Sequence, residues 1–249
     1  MSRSGCLLLT CEHGGHRIPR PYAHLFRGSA KVLASHRGWD RGALQLARLL
    51  SRELGRPLLA VTVSRLFVEA NRSPTNRRIW SDFTKHLPRE QRQRILERWW
   101  RPHRQQVEGA VADAIALGHR VVHVAVHSFT RELDGEVRNA DVGLLYDPRR
   151  KPEAAFCRDW AAALRGIDPA LRVRFNYPYA GAADGLTTWM RRRHPQSRYV
   201  GVELEINQAL VGTQRWPRLQ RQIAESLRAA LIRRTLRSRR DSPDSARRA

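Results

Sequence analysis

The stretch Arg120-Val121-Val122-His123-Val124-Ala125-Val126-His127-Ser128 decides the fold. Its body is valine and alanine, rich in β-branched residues, and it reads as a strand buried on both faces. Side chains alternate along a strand, so His123, Ala125 and His127 share one face and Val122, Val124 and Val126 the other. His127 stands at the carboxyl end, and in open α/β sheets ligands bind in the crevice outside the carboxyl ends of the strands.

Two other stretches repeat this design. An apolar run over residues 7–11 ends in Cys11-Glu12-His13-Gly14-Gly15-His16, and Gly201-Val202-Glu203-Leu204-Glu205-Ile206-Asn207 alternates carboxylates and an amide with apolar residues. Residues 58–63, 142–146 and 173–176 complete a set of six strands with 7–11, 120–127 and 199–206. Helical periods lie between them. Asp40 is placed to N-cap a helix whose apolar face is Ala43, Leu44, Ala47, Leu50 and Leu54, closed by Gly55. Pro88 opens a second, with Ile95, Trp99 and Trp100, up to a break near Pro102, and Val107, Val111 and Ile115 carry a third to Gly118. Ala154, Phe156, Trp160 and Leu164 mark another, and Leu219, Ile223, Leu227 and Leu231 the last. Strands alternating with helices of this length predict an α/β fold, a three-layer sandwich with a mostly parallel or mixed central sheet.

A chain of 249 residues can bury one sizeable core. We expect a single domain over residues 1–232 and a basic, disordered tail over 233–249, where Arg, Ser, Asp and Ala leave nothing to pack. The apolar run near the start is too short for a signal segment or a membrane span, so a cytoplasmic protein is expected. Cys6, Cys11 and Cys157 have no paired spacing, which argues against a disulfide framework and a zinc ribbon. The net charge is +23, and all but three of the 46 basic residues are arginine. Such charge speaks to non-specific affinity for polyanions, so nucleic acid is a possible partner but not the expected main role.

The residues that can do chemistry are His and carboxylate. A lone histidine at a strand end is ordinarily a hydrogen-bonded structural residue. Here it has company: His13 follows the first strand, His127 ends another, and Asp40 and Glu203 stand at a helix start and a strand end. His16, three residues after His13, has the spacing of a second ligand if a helical turn begins there. Glu203, Glu205 and Asn207 share one face of a strand, and buried carboxylates need a metal, an arginine or a water-filled cleft. Asn71-Arg72-Ser73 sets a guanidinium fork, suited to a carboxylate, after an extended segment.

In chain order, His13-Gly-Gly, Asp40-Arg-Gly-Ala, Asn71-Arg72-Ser73, His127-Ser-Phe, Asp141-Val-Gly-Leu-Leu-Tyr, Asn176-Tyr-Pro-Tyr, Asp184-Gly-Leu-Thr and Glu203-Leu-Glu-Ile-Asn-Gln together resemble the N-formylglutamate amidohydrolase family over about residues 6–212. That family is distantly similar to the zinc carboxypeptidases and aspartoacylases, which implies a phosphorylase/hydrolase-like fold. The resemblance implies one zinc ion per chain, with His13 and His127 as ligands and either His16 or Asp40 as the third. It further implies Asn71 and Arg72 as a clamp on the substrate carboxylate and Glu203 as general base. Arg138 is a candidate donor to the developing oxyanion. The activity implied is hydrolysis of an N-formyl or N-acyl amino acid, a small molecule. A carboxypeptidase or peptidoglycan-fragment amidase on the same site, and a non-catalytic polyanion-binding protein, are the alternatives.

Overall fold

The computed structural model describes residues 5–240. Six strands form one sheet: β1 (Gly5–Cys11), β2 (Leu58–Ala60), β3 (Arg120–Phe129), β6 (Val142–Leu145), β7 (Val173–Phe175) and β8 (Tyr199–Asn207), in the order β2-β1-β3-β8-β6-β7. The four strands from β2 to β8 run parallel, β6 is antiparallel to β8, and β7 is parallel to β6. The sheet is therefore mixed, and all six expected strands are in it. The register pairs Thr10 with Ala125 and His127 with Glu205, which sets the carboxyl ends of β1, β3 and β8 side by side.

Alternation makes the two faces of this sheet chemically different. Leu7, Leu9 and Cys11 of β1, Val122, Val124 and Val126 of β3, and Val202, Leu204 and Ile206 of β8 point to one side and are buried. They pack against α2 (Ala43–Leu54), α5 (Lys151–Ile167) and α7 (Trp216–Arg240), through residues such as Leu46, Leu50, Phe156, Trp160, Leu219, Ile223 and Leu227. The opposite face carries Leu8, Val121 and Tyr199 near the start of the strands, covered by α4 (Arg101–Ala116) and α6 (Leu186–Arg191). Toward the carboxyl ends this face turns polar, with Thr10, His123, His127, Glu203 and Glu205. Residues 61–100, which include α3 (Arg89–Ile95), fold over that end around a core of their own, with Phe67, Ile79, Ile95 and Trp100. A short helix α1 (Ala30–Ala34) precedes α2, and a hairpin of β4 (Glu132–Leu133) and β5 (Glu136–Val137) follows β3. Its turn is Asp134-Gly135, both at positive φ, the residue pair that a tight hairpin turn favours.

The structure departs from the sequence expectations at three elements. The N-cap residue of α2 is Gly42, with φ 84°, and Asp40 contributes only its backbone carbonyl to the Ala43 N–H. No break occurs at Pro102. A π-helical segment, Leu96–Trp100, links α3 to α4, with the Arg101 N–H donating to Leu96 O just before Pro102, so the wider turn carries the chain past a residue that cannot donate. The last helix continues past Arg233 to Arg240, so the expected tail begins inside α7; residues 241–249 lie outside the described residues. No helix among the described residues is long and apolar enough to cross a membrane.

Candidate active site

The site begins where β1 ends. After Cys11 the chain turns through Glu12 and His13, and the Gly14 N–H donates to Val61 O at 2.9 Å. A Cβ on Gly15 would stand 2.6 Å from Thr62 O, so this double glycine serves a close backbone approach to the segment after β2. That approach turns His13 inward and His16 outward. His16 is exposed and its ring lies 5.1 Å from that of Trp39. Asp40 takes the place beside His13: its N–H donates to His13 O at 3.0 Å, which delivers the carboxylate to the imidazole.

Three buried donors converge there. His13 Nδ1 stands 3.1 Å from Asp40 Oδ2, His127 Nδ1 stands 3.0 Å from the same oxygen, and the two Nδ1 atoms are 3.2 Å apart. The far nitrogens explain the arrangement. His13 Nε2 donates to Glu69 Oε1. His127 Nε2 lies 3.0 Å from Glu12 Oε2, in a bent ion pair rather than a linear hydrogen bond, and His103 Nε2 reaches Glu12 Oε1 at 3.2 Å. With the proton of each ring on Nε2, where Glu69 and Glu12 accept it, both Nδ1 atoms present lone pairs toward the point they share with Asp40, which is the tautomer that a cation there would select. Two lone pairs and a carboxylate oxygen facing one point without a hydrogen between them repel unless positive charge sits there. The donor set of two imidazoles and a carboxylate can hold one divalent cation.

The electrostatics agree. Burial works to raise the carboxyls of Asp40, Glu12 and Glu69, yet all three are held well below the usual range. His13, His127 and Arg65 do this for Asp40, His103 and His127 for Glu12, and Arg65 and His13 for Glu69. Burial works to lower His127, but its contacts with Asp40 and Glu12 raise it well above an ordinary histidine, so these carboxylates favour a proton on Nδ1 where no cation is bound, and a bound cation would take that proton's place. The site thus favours positive charge at its centre. Arg65 bridges Glu69 and Asp40, with Nε donating to Glu69 Oε2 at 2.8 Å and Nη1 to Asp40 Oδ1 at 3.3 Å.

A cleft of about 450 Å³ opens over this centre. It is lined by His13, Asp40 and His127 at its floor, and by Asn71, Arg72, Arg78, Tyr179, Asp184, Glu203 and Glu205 among others on its walls. Glu203 is half-buried, and its Oε1 accepts from the Thr187 hydroxyl at 2.7 Å. A Cβ on Gly185 would lie 3.2 Å from both Glu203 Oε1 and Asn71 Oδ1, so a bare backbone lets these two walls meet. Asn71 Oδ1 accepts from Leu186 N at 2.7 Å, and Arg72 Nη1 donates to Asp184 O. Asp184 in turn accepts from Ser73 N at 3.0 Å and Asn76 Nδ2 at 2.7 Å, which ties the segment bearing Asn71 and Arg72 to the loop before α6. From below, Arg104 Nη2 donates to Ala70 O and Arg72 O, with its guanidinium 5.1 and 5.6 Å from the Trp100 and Trp189 rings.

Of the residues singled out in the sequence, His13, Asp40, His127, Asn71, Arg72 and Glu203 share this cleft. His16 does not, and Arg138 is not among its lining residues. Glu205 is neither paired nor bonded through Oε2 among the described residues, and burial pushes it up to about 8. His123 is structural: Thr10 Oγ1 and Tyr199 OH lie 2.9 and 2.7 Å from its nitrogens. Sequence reading missed Glu12, Arg65 and Glu69. Glu12 carried a signal, since alternation continues Leu8 and Thr10 onto it; Arg65 and Glu69 lie in an irregular segment with no period to read.

Fold and cleft define a class: an α/β enzyme with a polar reaction centre at the carboxyl ends of three parallel strands. The chain belongs to the N-formylglutamate amidohydrolase family, which its residues 5–212 match. Among solved structures it is similar to the gene product Atu2144 from Agrobacterium tumefaciens, at 29% identity and a TM-score of 0.76, over 95% of this chain and 92% of that one. It also shares the fold of an N-formylglutamate amidohydrolase from Ralstonia eutropha JMP134, at 21% identity and a TM-score of 0.67, over 92% and 95% of the two chains. No curated protein matches it.

Proposed function

We propose that this amidohydrolase is zinc-dependent and hydrolyses the amide of an N-formyl or other N-acyl amino acid of the N-formylglutamate type. The observation that carries the reading is the convergence of His13 Nδ1, His127 Nδ1 and Asp40 Oδ2 on one point, with both Nε2 atoms turned to carboxylates. Zinc fits this donor set, with an open position for water or substrate. When bound it lowers the pKa of water and polarises the acyl carbonyl.

The chain's own residues do the rest. Glu203 takes a proton from the attacking water, whose oxygen bonds to the acyl carbon, and passes that proton to the amine nitrogen as the carbon–nitrogen bond breaks. Its Thr187 contact engages Oε1 and leaves Oε2 for this transfer. Asn71 and Arg72 hold the α-carboxylate and fix the acyl group over the centre, so that proximity contributes to rate. Glu12 and Glu69 hold the two imidazoles in the tautomer that ligation needs. A volume of about 450 Å³ lies within the range of small-molecule sites and suits a free N-acyl amino acid better than a polymer. A cytoplasmic setting accords with three unpaired cysteines.

The test is formate release from N-formyl-L-glutamate by zinc-loaded protein, beside N-acetyl amino acids and short peptides. Turnover confined to peptides, or none on any amide, would refute the reading.

A further inference from the structure

Arg138 is only 8% exposed, yet no carboxylate pairs with it among the described residues. A buried guanidinium without a counter-charge is costly, and negative charge that arrives nearby during function would offset that cost. Its side-chain partner among the described residues is a phenol: Nη1 donates to Tyr179 OH at 2.9 Å, and the guanidinium carbon lies 5.0 Å from the Tyr179 ring centroid. The backbone around it is fixed, with Arg138 N donating to Arg131 O at 2.7 Å and Asn139 N to Tyr177 OH at 2.9 Å. The hairpin of β4 and β5 thus presents Arg138 to the loop that carries Tyr177 and Tyr179.

Tyr179 lines the cleft and is 44% exposed. A hydroxyl has one hydrogen to give, and its oxygen here accepts from Arg138, so the hydrogen is free for a ligand. A charge-assisted bond to that oxygen polarises the O–H and makes it a stronger donor. Tyr179 lines the same cleft as His13, Asp40, His127 and Arg65, so its hydroxyl shares the space that a substrate over that centre would fill. A single donor suits one oxygen that gains charge, whereas a carboxylate favours a bidentate fork such as Arg72.

We propose that the Tyr179 hydroxyl, held and polarised by Arg138, donates a hydrogen bond to the substrate's acyl oxygen as that oxygen becomes negative. Tyr179 is then a catalytic residue and Arg138 a positioning residue that acts through it, rather than a direct donor. This assignment rests on the amide-hydrolase reading above.

The experiment compares zinc-loaded wild type, Tyr179→Phe, Arg138→Ala, Arg138→Lys and the Tyr179→Phe/Arg138→Ala double variant. Two measurements are made: turnover of N-formyl-L-glutamate, and calorimetric binding of N-phosphono-L-glutamate, whose tetrahedral anion replaces the acyl carbon, against L-glutamate. Tyr179→Phe is expected to lower kcat about 100-fold with KM nearly unchanged. It should weaken the phosphono compound by a similar factor and leave L-glutamate binding unaltered. Arg138→Ala should lower kcat, Arg138→Lys should restore part of the loss, and Arg138→Ala should add nothing once Tyr179 is Phe. A rise in KM at constant kcat, an unaffected Tyr179→Phe, or additive losses at the two positions would each overturn the proposal. Wild type that binds the phosphono compound but releases no formate would refute the functional reading instead, and the binding comparison would still decide the role of Tyr179.

Discussion

Replacing Glu12 by glutamine is expected to weaken zinc binding by roughly 10- to 100-fold while the fold persists. Glu12 is fully buried, and its two oxygens face His103 Nε2 at 3.2 Å and His127 Nε2 at 3.0 Å. Glutamine matches its shape but has one carbonyl oxygen, so it can accept from only one of the two imidazoles. If His127 loses its partner, its tautomer is no longer fixed and its Nδ1 lone pair is no longer held toward the centre. Leaving the buried His127 Nε2 without its carboxylate costs about 1–3 kcal/mol, the penalty for an unpartnered buried polar group. With tenfold in affinity for every 1.4 kcal/mol, that gives the range stated. The assay is competition with a chromophoric chelator, with far-ultraviolet circular dichroism and a melting curve to show that the variant is folded. A folded variant with wild-type zinc affinity would refute the claim that Glu12 acts on the metal through His127.

Glu203→Gln should retain zinc and lose about 10²–10⁴ in kcat, as seen in parallel metal and turnover assays. Arg72→Lys should raise KM by roughly tenfold with kcat little changed, because an ammonium cannot reproduce the fork on a carboxylate; steady-state kinetics on N-formyl-L-glutamate checks this. Burial lowers His123 to about 4, so between that value and the unfolded value of about 6.5 the unfolded chain binds the extra proton. His123 therefore makes stability fall as the pH drops through that window, by about 3 kcal/mol in all, and urea midpoints of His123→Gln should be correspondingly flatter. Asp40→Asn should abolish zinc binding, whereas His16→Ala should leave it intact, by the same chelator competition.

What the sequence disclosed follows from where periodicity exists. Strands such as residues 120–129 and 199–207 carry alternation and β-branched runs, so the sheet and the end of each strand that bears a functional side chain were readable. The choice between His16 and Asp40 was not. A spacing of three residues brings two side chains together only on a helical turn, and the chain after His13 is instead extended along Val61 and Thr62 by contacts that no local pattern reports. Arg65 and Glu69 reach the site from a segment whose path is set by packing around Phe67 and Ile79. The position of Arg138 behind Tyr179 depends on a hairpin whose only mark was Asp134-Gly135 between two two-residue strands.

The central claim is that His13, Asp40 and His127 hold one zinc ion on which turnover depends. Elemental mass spectrometry of untagged protein purified without chelator tests it most directly, beside Asp40→Asn and His127→Ala. Close to one zinc per wild-type chain, and little in either variant, is expected. Folded wild-type protein that contains no zinc and takes none up on addition would contradict it.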